Sequence, residues 1–379
     1  MAQEVVKEPL AEKKSPRLLW LYILLAAIPI ALIVLYYIYN SRQDIMDWVN
    51  TYISTPYRNA AATVTSLGPL KFFSLAEVLI TLLVLWVLYY IVKTVIILIT
   101  RPQKLAHLGK RLFVLLLVGL YIFAAYSWTW GTGYHGTDLA GKTGLSADGI
   151  TVAQLTDTAN FFAMKANELS GQVSRDADGH FIVDTDYDFE LSKGVYANII
   201  NEFPALNGTS YPPKAMMYSK LMSIIGFTGV YIGLTGETNI NVDAPGALIP
   251  ATIAHEMAHQ RGVNSEDEAN FAGIAACITS NITIYEYSGY LSGLIYLTNA
   301  LHEADPDAAG ALMATFNDGV SRDWTDNIEY WSRYESPAAE AVSAMYDGYL
   351  KSNGEELGLS SYGACVDMLV SWLGETPPV

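Results

Sequence analysis

Residues 248–278 read LIPATIAHEMAHQRGVNSEDEANFAGIAACI, and their spacing decides the fold of the larger part of the chain. Residues 248–258 form an apolar run of helical period, and Gly262 offers a stop. Ser265-Glu266-Asp267-Glu268 then opens a second helix in the SxxE capping-box form, ahead of the apolar residues 269–278. Within the first helix, His255-Glu256-Met257-Ala258-His259 puts two imidazoles on one face, with Glu256 beside them. Such a pattern offers two ligands to one metal ion and a carboxylate base to a water on that ion. A third ligand is needed, and the sharp bend between the helices returns the start of the second one toward His259. Glu266 and Glu268 are both in reach. Glu266 is preferred because Asn270, four residues on, falls on its face; Glu268 is also explained by the capping box and remains the alternative metal ligand.

Upstream, residues 227–241 are rich in Gly, Thr, Val, Ile and Tyr and predict strand, turn, strand, with the break at Gly233, Thr235 and Gly236. Residues 151–169 carry Leu155, Ala159, Phe162, Ala166 and Leu169 at helical spacing, and residues 189–203 have a similar apolar face. Between them, residues 175–183 read as a turn into a short strand, its aspartates a solvated turn rather than a calcium loop, since no closing Glu follows. Asn353, Gly354 and Gly358 mark a loop before a final helix over residues 362–373.

Residues 1–131 differ in kind. They hold 12 Lys/Arg against 6 Asp/Glu, whereas residues 132–379 hold 10 against 32. Residues 18–39 are a charge-free apolar run of 22, long enough to cross a hydrocarbon core of about 30 Å. Residues 72–99 and 112–130 give two more spans, with Glu77 and Lys93 near the ends of the second, where they can snorkel or sit at an interface. Tyr36, Tyr37 and Tyr39 read as an interfacial belt rather than a signal-peptide cleavage region. Lys7, Lys13, Lys14 and Arg17 precede the first span, and Arg101, Lys104, Lys110 and Arg111 separate the second from the third. By the positive-inside rule both flanks are cytoplasmic, which puts residues 132–379 outside. The expected organisation is a cytoplasmic tail (1–17), a membrane domain (18–131) and an extracytoplasmic domain (132–379). The fold class expected is mainly α: three transmembrane helices followed by a mostly helical α+β, zincin-like metallopeptidase domain with a small sheet.

The overall composition is 51% hydrophobic and 16% charged, with a net charge of −16, which excludes a disordered chain and argues against a nucleic-acid partner. The lipid bilayer and a peptide or protein substrate are the partners expected. Cys277 and Cys365 lack a CxxC neighbour and are poor zinc ligands; outside the cytoplasm they could pair, while Cys277 in its apolar helix reads equally as a buried thiol.

Glu266-x-x-Ala269-Asn270 after HExxH resembles the gluzincin arrangement. The resemblance implies one zinc ion held by His255, His259 and Glu266, with Asn270 in the second shell orienting a ligand histidine. The gap between the two halves is unusually short. More widely, the chain is similar to the bacterial membrane family called domain of unknown function 3810, whose members have amino-terminal spans and an HExxH-bearing outer part. The carrying residues are Gly229-Val-Tyr231, Thr235-Gly-Glu-Thr-Asn239, HEMAHQRG from His255, EDEANF from Glu266, Tyr287-Ser-Gly-Tyr-Leu291 and Tyr346-Asp-Gly-Tyr-Leu-Lys351.

The function expected is that of a zinc metallopeptidase of the bacterial cytoplasmic membrane: a zinc-bound water, activated by Glu256, attacks a peptide carbonyl. Candidate donors to the developing oxyanion are Tyr287, Tyr290, His302, Arg333 and Tyr334. The alternative is a non-catalytic zinc-stabilised envelope sensor or scaffold, for which four protein ligands would close the ion's shell. A transporter subunit fits less well, because the charged residues in the spans sit near their ends.

Overall fold

The computed structural model describes residues 16–145, 149–355 and 362–375; the basic positions Lys7, Lys13 and Lys14 and the loop position Gly358 lie outside the described residues. The first part comprises α1 (Pro16–Tyr39), α2 (Gln43–Val49), α3 (Thr55–Thr65), α4 (Leu75–Thr100) and α5 (Lys104–Thr129). The second comprises α6 (Leu139–Thr143), α7 (Val152–Ser170), α8 (Thr185–Leu191), β1 (Lys214–Ala215), α9 (Ser219–Ile224), β2 (Gly229–Ile232), β3 (Glu237–Ile240), α10 (Ile249–Gln260) and α11 (Glu266–Ile278). It continues through α12 (Thr283–Ala304), α13 (Pro306–Met313), α14 (Asp318–Ser332), α15 (Pro337–Ser352) and α16 (Tyr362–Glu375).

Helices α1, α4 and α5 are each long and apolar enough to cross a membrane. Their bounds follow the expected ones except at the start of the third helix. It begins at Lys104, so that Lys110 and Arg111 are helical rather than part of a connecting flank. The physical reason is pairing: the Arg111 guanidinium donates to the Tyr90 carbonyl at 3.0 Å and to the Thr94 hydroxyl, and lies 3.7 Å from the Tyr90 ring centroid. Glu77, expected to snorkel or sit at an interface, is 4% exposed and accepts from the Met217 and Tyr218 amides at 2.9 and 3.0 Å. Of the three tyrosines at the end of α1, Tyr37 and Tyr39 are exposed and Tyr36 is buried, its hydroxyl donating to the Gly131 carbonyl at 3.2 Å.

The core of the second part forms around α12, which buries Tyr287, Tyr290, Leu291, Leu294, Leu297 and Leu301 against α7, α10, α11 and α16. Each fully buried leucine there stabilises by about 2 kcal/mol through water exclusion. Thr151 and Gln154 form a capping box at the start of α7, whose buried stripe includes Leu155, Ala159, Phe162, Ala166 and Leu169. The expected helix over residues 189–203 is broken. Beyond α8 the chain makes 3-10 turns at Ser192–Gly194 and Ile199–Asn201, because Gly194, Asn198 and Asn201 are weak helix formers. The strand expected near residue 181 is a single bridge between Arg175 and Phe181. Cys277 and Cys365 are free, buried thiols.

The sheet has the order β1-β3-β2. β1 runs parallel to β3, with Lys214 opposite Asn239, and β2 antiparallel to it, with Tyr231 opposite Thr238. This places β2 at the edge beside α10. The sheet also holds the amino end of α4: the Glu237 carboxylate accepts from the Leu75 and Ala76 amides at 2.9 and 2.8 Å, a carboxylate on a helix N-terminus.

Candidate metal centre

α10 and α11 cross closely enough that a Cβ added to Gly273 would sit 2.8 Å from the His255 amide nitrogen. α10 stops where Gly262 takes φ +89°, and the turn to Ser265 lets the start of α11 meet the imidazoles. Glu266 Oε2 lies 3.2 Å from His255 Nε2, and Glu266 Oε1 lies 3.5 Å from His259 Nε2. One ligand atom from each of the three residues falls within 4.8 Å of the others. Two donors at about 2.0–2.1 Å from one tetrahedral ion stand about 3.3 Å apart, so the group fits a metal ion.

A metal ion bound here would displace a proton from the cluster. His259 Nδ1 is 2.7 Å from the Val263 carbonyl, which favours the Nδ1–H tautomer and leaves Nε2 free to ligate. Burial disfavours the charged forms of His259 and Glu266, yet their mutual attraction outweighs it. His259 is pushed up to about 9, and Glu266 is held well below the usual carboxylate range. Glu256 is 4% exposed, with Oε2 lacking a hydrogen-bond partner among the described residues. Burial raises its pKa, and the two imidazoles pull it back. β2 presses on it at Gly229, where a Cβ would come 2.7 Å from Glu256 Oε1.

The other expected residues fall in different places. Glu268 does not join the cluster and makes no capping box with Ser265: its carboxylate accepts from the Ala140 amide at 2.8 Å, so it caps α6 instead. Asn270 lines the same cleft as the cluster, but no hydrogen bond joins it to either ring among the described residues; the Val263 carbonyl orients His259 instead. His302 also lines that cleft. Tyr287, Tyr290, Arg333 and Tyr334 do not. The Tyr287 hydroxyl is taken by Asp323 and Arg175 in the core, and Tyr290 packs on Phe161 and Phe162. Tyr334 reaches Asp243 at 3.4 Å, and Arg333 caps the end of α14.

Two residues enter the site that the sequence reading did not assign to it. The Tyr346 hydroxyl donates to Glu266 Oε1 at 2.6 Å, and burial together with that carboxylate raises its pKa, so it stays a protonated donor. Trp130, just beyond α5, stands edge-on to His259 at 5.7 Å between ring centroids. Tyr346 was legible only as part of Tyr346-Asp-Gly-Tyr349, whose spacing puts two tyrosines on one face of α15.

Fold and cluster together define a mainly helical protein with three helices able to cross a membrane and a His/His/Glu group able to hold a metal ion. The model of the family described as Protein of unknown function (DUF3810) matches residues 52–370, and the chain belongs to that family. No curated protein and no solved structure matches it.

Proposed function

We propose that the chain is a membrane-anchored, zinc-dependent metallopeptidase that hydrolyses peptide bonds at the His255/His259/Glu266 centre. The observation that carries this reading is the buried Glu256 carboxylate, with one oxygen unpartnered, beside three converging metal donors. Two imidazoles and a carboxylate are a donor set suited to zinc, and three protein ligands leave a coordination position for solvent. When bound, the ion supplies Lewis acidity and makes water nucleophilic near neutral pH. Glu256 is the base that takes a proton from the attacking water and hands it to the leaving amine. Tyr346 holds Glu266 in its ligating rotamer through Oε1. The edge strand β2, whose residues Val230–Ile232 line the cleft, offers main-chain groups to an extended substrate. The proposed topology keeps the amino terminus and the α4–α5 turn, with its Arg101 and Lys104, in the cytoplasm and the metal centre outside.

The test uses the full chain in detergent or nanodiscs. Wild type should hold one zinc per chain and cleave members of a mixed peptide library. Glu256→Gln should keep the zinc and lose at least about 10²-fold in turnover, while His255→Ala and Glu266→Ala should lose the zinc. Retained hydrolysis by Glu256→Gln would refute the base assignment; zinc binding unchanged in both ligand variants would refute the centre.

A further inference from the structure

The cleft that holds the metal donors, about 2360 Å³ in volume, continues downward between α4 and α5. Its lower wall is Ile80 of α4 and Gly119, Ile122, Phe123 and Tyr126 of α5. The four α5 positions are spaced as one helical stripe. They reach down to Gly119, ten residues before the end of α5 at Thr129. At 1.5 Å per residue that is about 15 Å, half the depth of a bilayer core.

The gap between the two helices is fixed by how each is tied. Far from the metal centre they are joined by Arg111 to Tyr90 and Thr94. At the near end each is held by a different element. Glu237 grips the start of α4, whereas Arg58 donates to the Thr129 carbonyl at 2.9 Å and Ser54 to the Trp128 carbonyl at 2.8 Å. The pair is therefore tied directly at one end and only through other elements at the end where Ile80 and the α5 stripe line the cleft.

Three features specify what fits there. The wall is apolar at lipid depth, with Ile80 53%, Ile122 44% and Phe123 39% exposed. A Cβ on Gly119 would meet nothing within 4 Å, and a glycine facing open space lets another helix's backbone approach, which an acyl chain does not need. The upper rim carries Glu303, Glu335 and Glu340 as exposed acids, while Lys351, the rim's lysine, is paired to Asp347 at 2.8 Å. Resting on the metallopeptidase reading, we propose that the substrate is itself a membrane-anchored polypeptide. Its spanning helix seats in the α4/α5 groove, and its basic juxtamembrane segment rises through the acidic-rimmed cleft to the metal centre. Trp130 links the end of α5 to His259 in one ring contact, so the bond cut lies within about five residues of the substrate's apolar helix.

The experiment uses the full chain carrying Glu256→Gln, so that capture does not depend on turnover, in nanodiscs. A photocrosslinking amino acid is placed at Ile80, at Ile122, or at Leu82, two positions on from Ile80 and about 200° around the helix, 57% exposed. The probes are a synthetic Leu/Ala helix of about 20 residues with a Lys-rich flank, the flank peptide alone, and tagged phosphatidylcholine. The helical probe should label positions 80 and 122 about tenfold more than position 82, an advantage of about 1.4 kcal/mol; Gly119→Phe should abolish the difference at both positions, and Ile122→Trp should abolish it at position 80. Equal labelling at all three positions, equal labelling by the flank peptide alone, or lipid that the helical probe does not displace would each overturn the proposal. Zinc content is measured on every sample. Loss of capture with zinc retained defeats the membrane substrate alone, whereas capture without zinc defeats only the metallopeptidase reading.

Discussion

At the scale of single residues, Tyr346 is the side chain whose removal separates positioning from ligation. Tyr346→Phe keeps the ring against Phe227, 5.1 Å between centroids, and deletes only the hydroxyl that fixes Glu266 Oε1. Supporting hydrogen bonds of this kind are worth about 10–100-fold in metal affinity, so zinc should leave Tyr346→Phe to a competing chelator at least about tenfold more readily. An unchanged affinity would remove Tyr346 from the site. Asp188 gives a pH signature outside the His255/His259/Glu266 group. It is fully buried, with both carboxylate oxygens lacking a partner among the described residues, and burial followed by the nearby Asp184 pushes its pKa up to about 7. Below about pH 4 folded and unfolded chains both hold the proton, and there is no penalty. As pH rises from about 4 to 7 only the unfolded chain releases it, so the folded state loses stability, fully above about 7. Asp188→Asn should therefore gain about 2 kcal/mol over wild type at pH 8 and little at pH 4.5, as read by denaturant unfolding. A gain independent of pH would show that Asp188 is ionised throughout.

At the scale of elements, the convergence of His255, His259 and Glu266 depends on how closely α10 and α11 cross. Gly273→Ala puts a methyl against the His255 backbone, where no flexible side chain can yield. The helices must separate, at a cost of about 1–3 kcal/mol, and zinc content should fall together with the melting temperature. Gly229→Ala instead pushes β2 against the Glu256 side chain, so zinc should stay while hydrolysis drops. The contrast between the two follows from which neighbour each methyl meets. What was legible in the sequence belongs to this scale. The three long helices, α7, α10, α11 and the β2–β3 hairpin each announce themselves by apolar period and by breaks at glycine, because such patterns arise within one element. Glu268 was read through its neighbour Ser265 because that pairing is local, yet its partner is Ala140, 128 positions away. The burial of Glu77, the Tyr346 contact and the groove beneath the metal donors escaped for the same reason. They are made between elements distant in the chain, and no periodicity records which distant backbone a carboxylate or phenol will meet.

At the scale of the molecule, residues 132–379 read from composition as a separable domain, but their hydrogen bonds tie them to the segments before them. Lys214 is 5% exposed. Its ammonium donates to the Thr65 and Leu70 carbonyls, each at 2.8 Å, and to Glu237 at 2.5 Å. Glu237 in turn holds the first amides of α4, and Asn264 reaches the Trp130 carbonyl at 3.1 Å just behind the metal ligands. Cutting the chain at residue 131 leaves a buried lysine and a buried glutamate without most of their partners. The Lys214–Glu237 ion pair survives the cut, but the four main-chain groups around it are lost, each a hydrogen bond to a charged group worth about 1.5–3 kcal/mol, together a large share of a typical domain's stability. The fragment 132–379 expressed alone should therefore unfold non-cooperatively and hold no stoichiometric zinc, while the full chain in detergent should melt cooperatively and hold one zinc ion. In the full chain, Glu237→Gln should lower the melting temperature more than Lys214→Met. The glutamine amide forfeits the charge at the α4 N-terminus and strands Lys214, whereas removing Lys214 leaves Glu237 still accepting from Leu75 and Ala76. A fragment that binds zinc and melts cooperatively, or the reverse order of the two variants, would mean that the metal centre is built without the membrane part, and that the α4 anchor serves attachment rather than the shape of the site.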